Sequence, residues 1–283
     1  MKRTALTLFM TLAGLAAVPM AARADDAAAP AAAASAPADA ASPIAYNVGL
    51  VSDYRYRGIS QSRDQPALQG GVDYTSSFGL YLGTWLSTIK WIKDAGPAAG
   101  VNTGSTPAEW DLYGGYRGDI IKDTLTYDVG GLYYLYVSNK YNQVGANADT
   151  FEIYGALTYG PATLKYSHAL TNLFGFVDSK NSGYLDLSAN FDLGSGFSLT
   201  PHIGHQEIKH TTGAPVNYSY TDYSLTLGKD FGNGLSVSAA AVGTDDKKLA
   251  NGLAAFSYTS DPAGDGYKSL QKATLVVGVK YTF

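Results

Sequence analysis

Strand-length segments recur through this chain from Ile44 to Phe283, and the connections between them alternate in length. The short ones are Ser77 to Gly79, Gly118 to Thr124, Gly160-Pro161, Gly194-Ser195-Gly196 and Gly232-Asn233-Gly234; the long ones fall at 58–66, 92–108, 139–149, 171–182, 207–219 and 244–271. In an up-and-down antiparallel sheet every second connection lies at the same rim. Tight turns at one end and long loops at the other are the pattern of a barrel that spans a bilayer. A soluble sandwich has no reason to sort its loops in this way.

About twelve strands are expected. The first, from Ile44 to Arg57, sets Tyr46, Val48, Leu50, Tyr54 and Tyr56 on one face against Asn47, Gly49, Asp53, Arg55 and Arg57 on the other. The next two run about 67–76 and 79–91, the latter with mixed faces. A fourth, about 109–117, opposes Trp110, Leu112 and Tyr116 to Glu109, Asp111, Tyr113 and Arg117. The fifth, about 125–138, opposes Leu125, Val129, Tyr133 and Val137 to Thr126, Asp128 and Ser138. Seven more follow at about 150–159, 162–170, 183–193, 197–206, 220–231, 235–243 and 272–283. Each is near the 9 to 11 residues that a tilted spanning strand needs. Gly70-Gly71 reads as a bulge in the wall.

Composition agrees. Charged residues make up only 16% of the chain, and there are 22 tyrosines, 32 glycines and no cysteine, which suits aromatic girdles and close-packed strands and excludes disulfides and thiolate metal sites. Tyr46, Tyr56, Tyr74, Tyr116, Tyr127, Tyr159, Tyr166, Tyr223 and Tyr281 cluster toward strand ends, where amphipathic rings meet headgroups.

Lys2 and Arg3 precede an apolar run from Ala5 to Val18, and Ala22-Arg23-Ala24 offers a small-x-small cleavage site. Residues 1–24 are therefore expected to be a secretory signal peptide. Cleavage removes three of the 20 basic residues and none of the 24 acidic ones, leaving 17 against 24 and a net charge of −7, unsuited to nucleic acid. Residues 25–43, almost wholly Ala, Pro, Ser and Asp, read as a disordered periplasmic leader before a single barrel over 44–283. No later window is long and apolar enough for a spanning helix, so a membrane crossing has to be made by strands.

The last nine residues alternate up to the terminal phenylalanine: Leu275, Val277, Val279, Tyr281 and Phe283 share a face, opposite Gly278, Lys280 and Thr282. This resembles the closing strand of bacterial outer-membrane barrels and implies the barrel-assembly machinery as a partner through Phe283. A second resemblance is more specific. Tyr56-Arg57-Gly58-Ile59-Ser60-Gln61-Ser62, Pro66-Ala67-Leu68-Gln69-Gly70-Gly71-Val72-Asp73-Tyr74 and Gly79-Leu80-Tyr81-Leu82-Gly83-Thr84-Trp85 are similar to the TorF-type porin family of proteobacteria, long carried as conserved hypothetical proteins. The match is detailed over about 45–90. It implies an outer-membrane channel and brings no substrate and no functional residues with it.

The expected lumen lining is Asp53, Arg55, Arg57, Asp73, Glu109, Asp111, Arg117, Asp128 and Glu152, with Lys165 and Asp186 on the same side. In a water-filled lumen such groups set ion preference, or pair across strands and stabilise the wall. With both signs present and no ladder of arginines, a channel dedicated to acidic oligosaccharides is not supported. Between Gly58 and Pro66, a loop carrying Ser60, Gln61 and Arg63 either folds into the mouth as a constriction or caps a surface hairpin. Twelve strands leave a bore that is narrow or nearly plugged.

Catalytic alternatives are weaker. Ser167-His168 with Asn172 lacks the spacing of an outer-membrane phospholipase, and His168 shares its face with Leu164 and Tyr166. His202, His205 and His210 invite a metal, but His202 and His205 point to opposite faces of one strand. The expectation is an outer-membrane porin-like channel for passive diffusion of small hydrophilic solutes, embedded in outer-membrane lipid with both termini in the periplasm, and with no cofactor, metal or catalytic group. A structural or adhesive barrel acting through its surface loops, or a hydrolase, is the alternative.

Overall fold

The computed structural model describes residues 42–98, 100–209, 217–248, 252, 254–258 and 268–283. The expected signal peptide, almost all of the leader, and His210 lie outside them. Twelve antiparallel strands form one sheet: β1 Ile44–Val51, β2 Ala67–Thr75, β3 Leu80–Thr88, β4 Ala108–Ile121, β5 Leu125–Leu135, β6 Thr150–Tyr159, β7 Ala162–Ala169, β8 Gly183–Ala189 continuing as Phe191–Gly194, β9 Phe197–Glu207, β10 Tyr220–Gly232, β11 Leu235–Thr244 and β12 Thr274–Thr282. Each strand pairs with its neighbours in sequence, and β12 pairs with β1 from Asn47↔Thr282 to Val51↔Gly278. The sheet is thus a closed ring, and closure removes the unpaired edges that a lone sheet would present.

Alternation decides the two surfaces. Leu50, Leu82, Leu112, Ile153, Leu185, Leu225 and Val277 point outward and are between two-fifths and three-fifths exposed. The polar partners beside them, among them Ser87, Asp111, Glu152, Ser224 and Ser238, are buried inside. This is an apolar belt around a polar interior, the inverse of a soluble barrel.

The start of β1 and the end of β12 meet at the short-turn rim. Tyr46 N–H donates to Phe283 O at 2.9 Å, Phe283 N–H returns a bond to Tyr46 O at 3.0 Å, and the two rings stack. The turns Ser195-Gly196 and Asn233-Gly234 have positive φ at both positions, the geometry whose twist matches that of the strands it joins. The long connections leave from and return to the opposite rim, and one of them contains the helix α1, Trp91–Ala98.

Several expectations need correction. The first strand ends at Val51 rather than Arg57, because Ser52 closes the ladder by bonding Val277 through both its backbone N–H and its hydroxyl. Tyr56 is accordingly not a girdle residue; it lies inside, 8% exposed. Gly70-Gly71 is no bulge, since the register runs unbroken from Val48↔Gly70 to Asn47↔Gly71. The third strand stops at Thr88 and its sides are resolved, with Tyr81, Gly83, Trp85 and Ser87 inward and Leu82 and Leu86 outward. β4 runs on to Ile121, and β5 ends at Leu135.

Candidate functional site

After Ser52 the chain turns into the barrel instead of onto its rim. Arg55–Tyr56 and Ile59–Ser60 form a two-residue-strand hairpin around Arg57-Gly58, both with positive φ. Gly58 has to be glycine, for a Cβ there would come within 2.8 Å of Thr244 Cγ2 and Asp222 Cβ on the wall. The hairpin leaves from between β1 and β2, yet its side chains end on the far strands. Arg57 makes a bidentate ion pair with Glu152 on β6, at 2.7 and 3.2 Å, and donates to Gln206 Oε1 on β9 at 2.5 Å. Its guanidinium lies 4.1 Å from the centre of the Tyr184 ring on β8. Tyr56 shares a hydroxyl–hydroxyl bond of 2.8 Å with Tyr134 on β5, and Tyr54 donates to Glu109 on β4.

The base of the hairpin is bound as firmly. Arg55 bonds Asp53 at 2.6 Å and Asp64 at 2.8 Å, and donates to the carbonyls of Gly58, Leu270 and Lys272. Ser60 and Ser62 both donate to Asp53, and Arg63 forms a two-point ion pair with Asp94 on α1. The Gln61 carbonyl accepts from Lys90 N–H just ahead of α1. Burial pushes the Asp53 carboxyl above its usual range, while Arg55 beside it pulls the other way. Every charge on the hairpin thus has a partner, as burial demands.

The wall carries a repeated device. Tyr113 on β4 lies across Gly83 on β3, and its hydroxyl reaches Asp73 on β2 at 2.5 Å. Tyr81 on β3 lies across Gly115 on β4 and donates to Asp128 on β5 at 2.6 Å. Tyr184 on β8 lies across Gly204 on β9 and donates to Asp222 on β10 at 3.0 Å. In each case a Cβ on the glycine would overlap the ring. A glycine in the middle strand lets a phenol bridge three strands.

The sequence from 35 to 283 matches the model of a bacterial family, Gcw_chp, described as of unknown function. The chain belongs to the Gcw_chp family. No curated protein sequence matches it significantly. Among solved structures, the KdgM porin in complex with disordered oligogalacturonate is 8% identical, with 85% of this chain and 98% of that one aligned and a TM-score of 0.49. The NanC porin is 10% identical over 85% and 98%, with a TM-score of 0.48. An outer membrane channel from Pseudomonas putida F1 is 14% identical over 87% and 98%, also at 0.48. Identities this low carry no solute and no site residue to the Gcw_chp chain.

Within this Gcw_chp barrel the residues expected to line the lumen fall into two groups. Asp73, Glu109, Asp111, Arg117, Asp128, Glu152, Lys165 and Asp186 are on strands and face inward. Asp53, Arg55 and Arg57 also lie inside, but on the hairpin rather than on a wall strand. His202 and His205 do point to opposite sides: His202 inward to Asp186 at 2.6 Å, His205 outward to the Thr221 hydroxyl. His168 sits on the outer surface beside Tyr166. Alternation already sets Tyr113 on the polar face of its strand, whereas the inner positions of Tyr81, Tyr154 and Tyr184, and the glycine beside each of the four rings, show only in the register.

Proposed function

We propose that this Gcw_chp protein is an outer-membrane, porin-like barrel through which small hydrophilic solutes diffuse, with residues 52–66 as its constriction. The observation that carries the reading is a closed barrel, apolar outside and polar inside, whose interior is crossed from wall to wall by one charged hairpin. Its outer surface fits lipid, and its inner carboxylates and hydroxyls fit water. On this reading residues 1–24 are removed on export, the short turns and both termini face the periplasm, and the long loops face outward. Phe283 ends the strand offered to the assembly machinery. The likeness of residues 45–90 to TorF-type porins supports the same assignment, and the chain then acts as a passive channel rather than an enzyme.

The test is single-channel recording in planar bilayers on refolded protein from residue 25 onward. Stepwise conductance is expected in the wild type, with larger steps in Arg57→Ala, which frees the hairpin from the far wall. A folded, heat-modifiable barrel with no conductance in either form overturns the reading.

A further inference from the structure

Resting on the channel reading, we infer that the passage selects for cations, and that Asp73 and Asp128 with the tyrosine faces around them set that preference. Two independent features of the interior point to the same sign of solute. The first is charge. Asp73, Glu109, Asp111, Asp128, Asp186 and Asp222 face inward from the strands, with Glu152 a seventh; the strands contribute only Arg117, Lys165 and Lys280 in return, besides His202. Even if Glu152 is given wholly to Arg57, six carboxylates stand against three permanent cations. The hairpin does not reverse the balance, because its arginines are already matched: Arg55 by Asp53 and Asp64, Arg57 by Glu152, and Arg63 by Asp94. None of them presents the open guanidinium fork that an anion would need.

The second feature is aromatic. The tyrosine rings of the inner wall carry π-faces, the negative side of the ring quadrupole, and these attract cations. The protein's own cations show how these faces are used. Lys165 Nζ lies 4.5 Å from the centre of the Tyr154 ring, Arg117 lies 5.3 Å from that of Tyr81, and Arg57 covers Tyr184. Tyr81 and Tyr113 donate their hydroxyls to Asp128 and Asp73, so these carboxylates are fixed in place by a neutral donor that cancels none of their charge. A passing ammonium, guanidinium or hydrated alkali ion is drawn by the same carboxylates and ring quadrupoles that hold Lys165 and Arg117. A passing anion meets repulsion from both.

The experiment is the reversal potential of the refolded protein under a KCl gradient, at low and at high salt. Wild type is expected to favour K⁺ over Cl⁻ several-fold, more strongly at low salt where the fixed charges are less screened. Asp73→Asn/Asp128→Asn keeps an acceptor oxygen for each tyrosine and so preserves the wall; it is expected to bring the ratio down toward unity. Lys280→Gln removes a cation and is expected to move selectivity the opposite way, which separates a charge effect from general damage. Conductance with Cl⁻ preference, or with a ratio that neither substitution moves, overturns the inference and leaves the channel standing. Absence of conductance in wild type and in Arg57→Ala alike removes the channel and this inference with it.

Discussion

Followed around its outside, the barrel is the same everywhere; followed around its inside, it has two different walls. Outward positions from β1 to β12 repeat leucine, valine, isoleucine and aromatic residues. Inside, β3 to β8 carry Tyr81, Tyr113, Tyr134, Tyr154 and Tyr184 among carboxylates, whereas β11 and β12 offer mostly short side chains, Ser236, Ser238, Ala240, Val242, Val276 and Gly278, with Lys280 the exception. Hydrocarbon is a uniform solvent and asks the same of each strand. The interior is built of individual contacts, and the small-residue wall leaves room for a hairpin whose side chains are held by the tyrosine wall.

The largest test of this contrast is Glu152→Ala. It leaves the Arg57 guanidinium buried without its carboxylate, a loss of about 3–5 kcal/mol for a broken buried pair. The hairpin is expected to come away from β6 while the ring of strands persists, seen as new protease cleavage within 52–66 in a barrel that still shifts on gels when heated. Uniform resistance to cleavage would show that the Arg57–Glu152 pair is not what holds the hairpin.

On the outside, Leu225→Arg and Val277→Arg sit on different strands and are expected to cost about the same, roughly 2–4 kcal/mol each if near the membrane midplane. Unfolding in lipid vesicles measures both. Costs that differ by more than the strands' depth explains would break the claim of a uniform exterior.

The smallest effect compares two glycines. Gly204→Ala puts a methyl group into the space of the Tyr184 ring, and overpacking of this kind costs about 1–3 kcal/mol. Gly155→Ala meets only Val129 Cγ1 at 4.0 Å and is expected to stay within about 0.5 kcal/mol of wild type. Equal costs would mean that the bridging tyrosines are free to move aside.

The same division explains what could be seen in the sequence. The strand count, the sorting of the loops and the outward set Val48, Leu112, Leu187 and Leu225 follow from alternation, because lipid reads only apolarity and position. The hairpin did not follow. Tyr54 and Tyr56 keep step with Tyr46 and Leu50, and a pattern of period two cannot show that Ser52 has ended the ladder. One local signal was present: Arg57-Gly58 between alternating residues is a two-residue turn, shorter than any barrel loop expected at that rim. The tyrosine–glycine–carboxylate bridges needed the register itself, since Tyr113 and Asp73 are 40 positions apart and meet only through the strand between them.

Arg57 also imposes an order on assembly. Its partners Glu152 and Gln206 lie 95 and 149 residues further along, on strands that leave the ribosome long after the hairpin does. Until β6 and β9 are in place the guanidinium belongs in water, and once β12 has met β1 the surrounding wall is complete. The hairpin therefore cannot reach its full set of contacts until strands far along the chain are in place, and a chain truncated before residue 152 lacks both of these partners for Arg57.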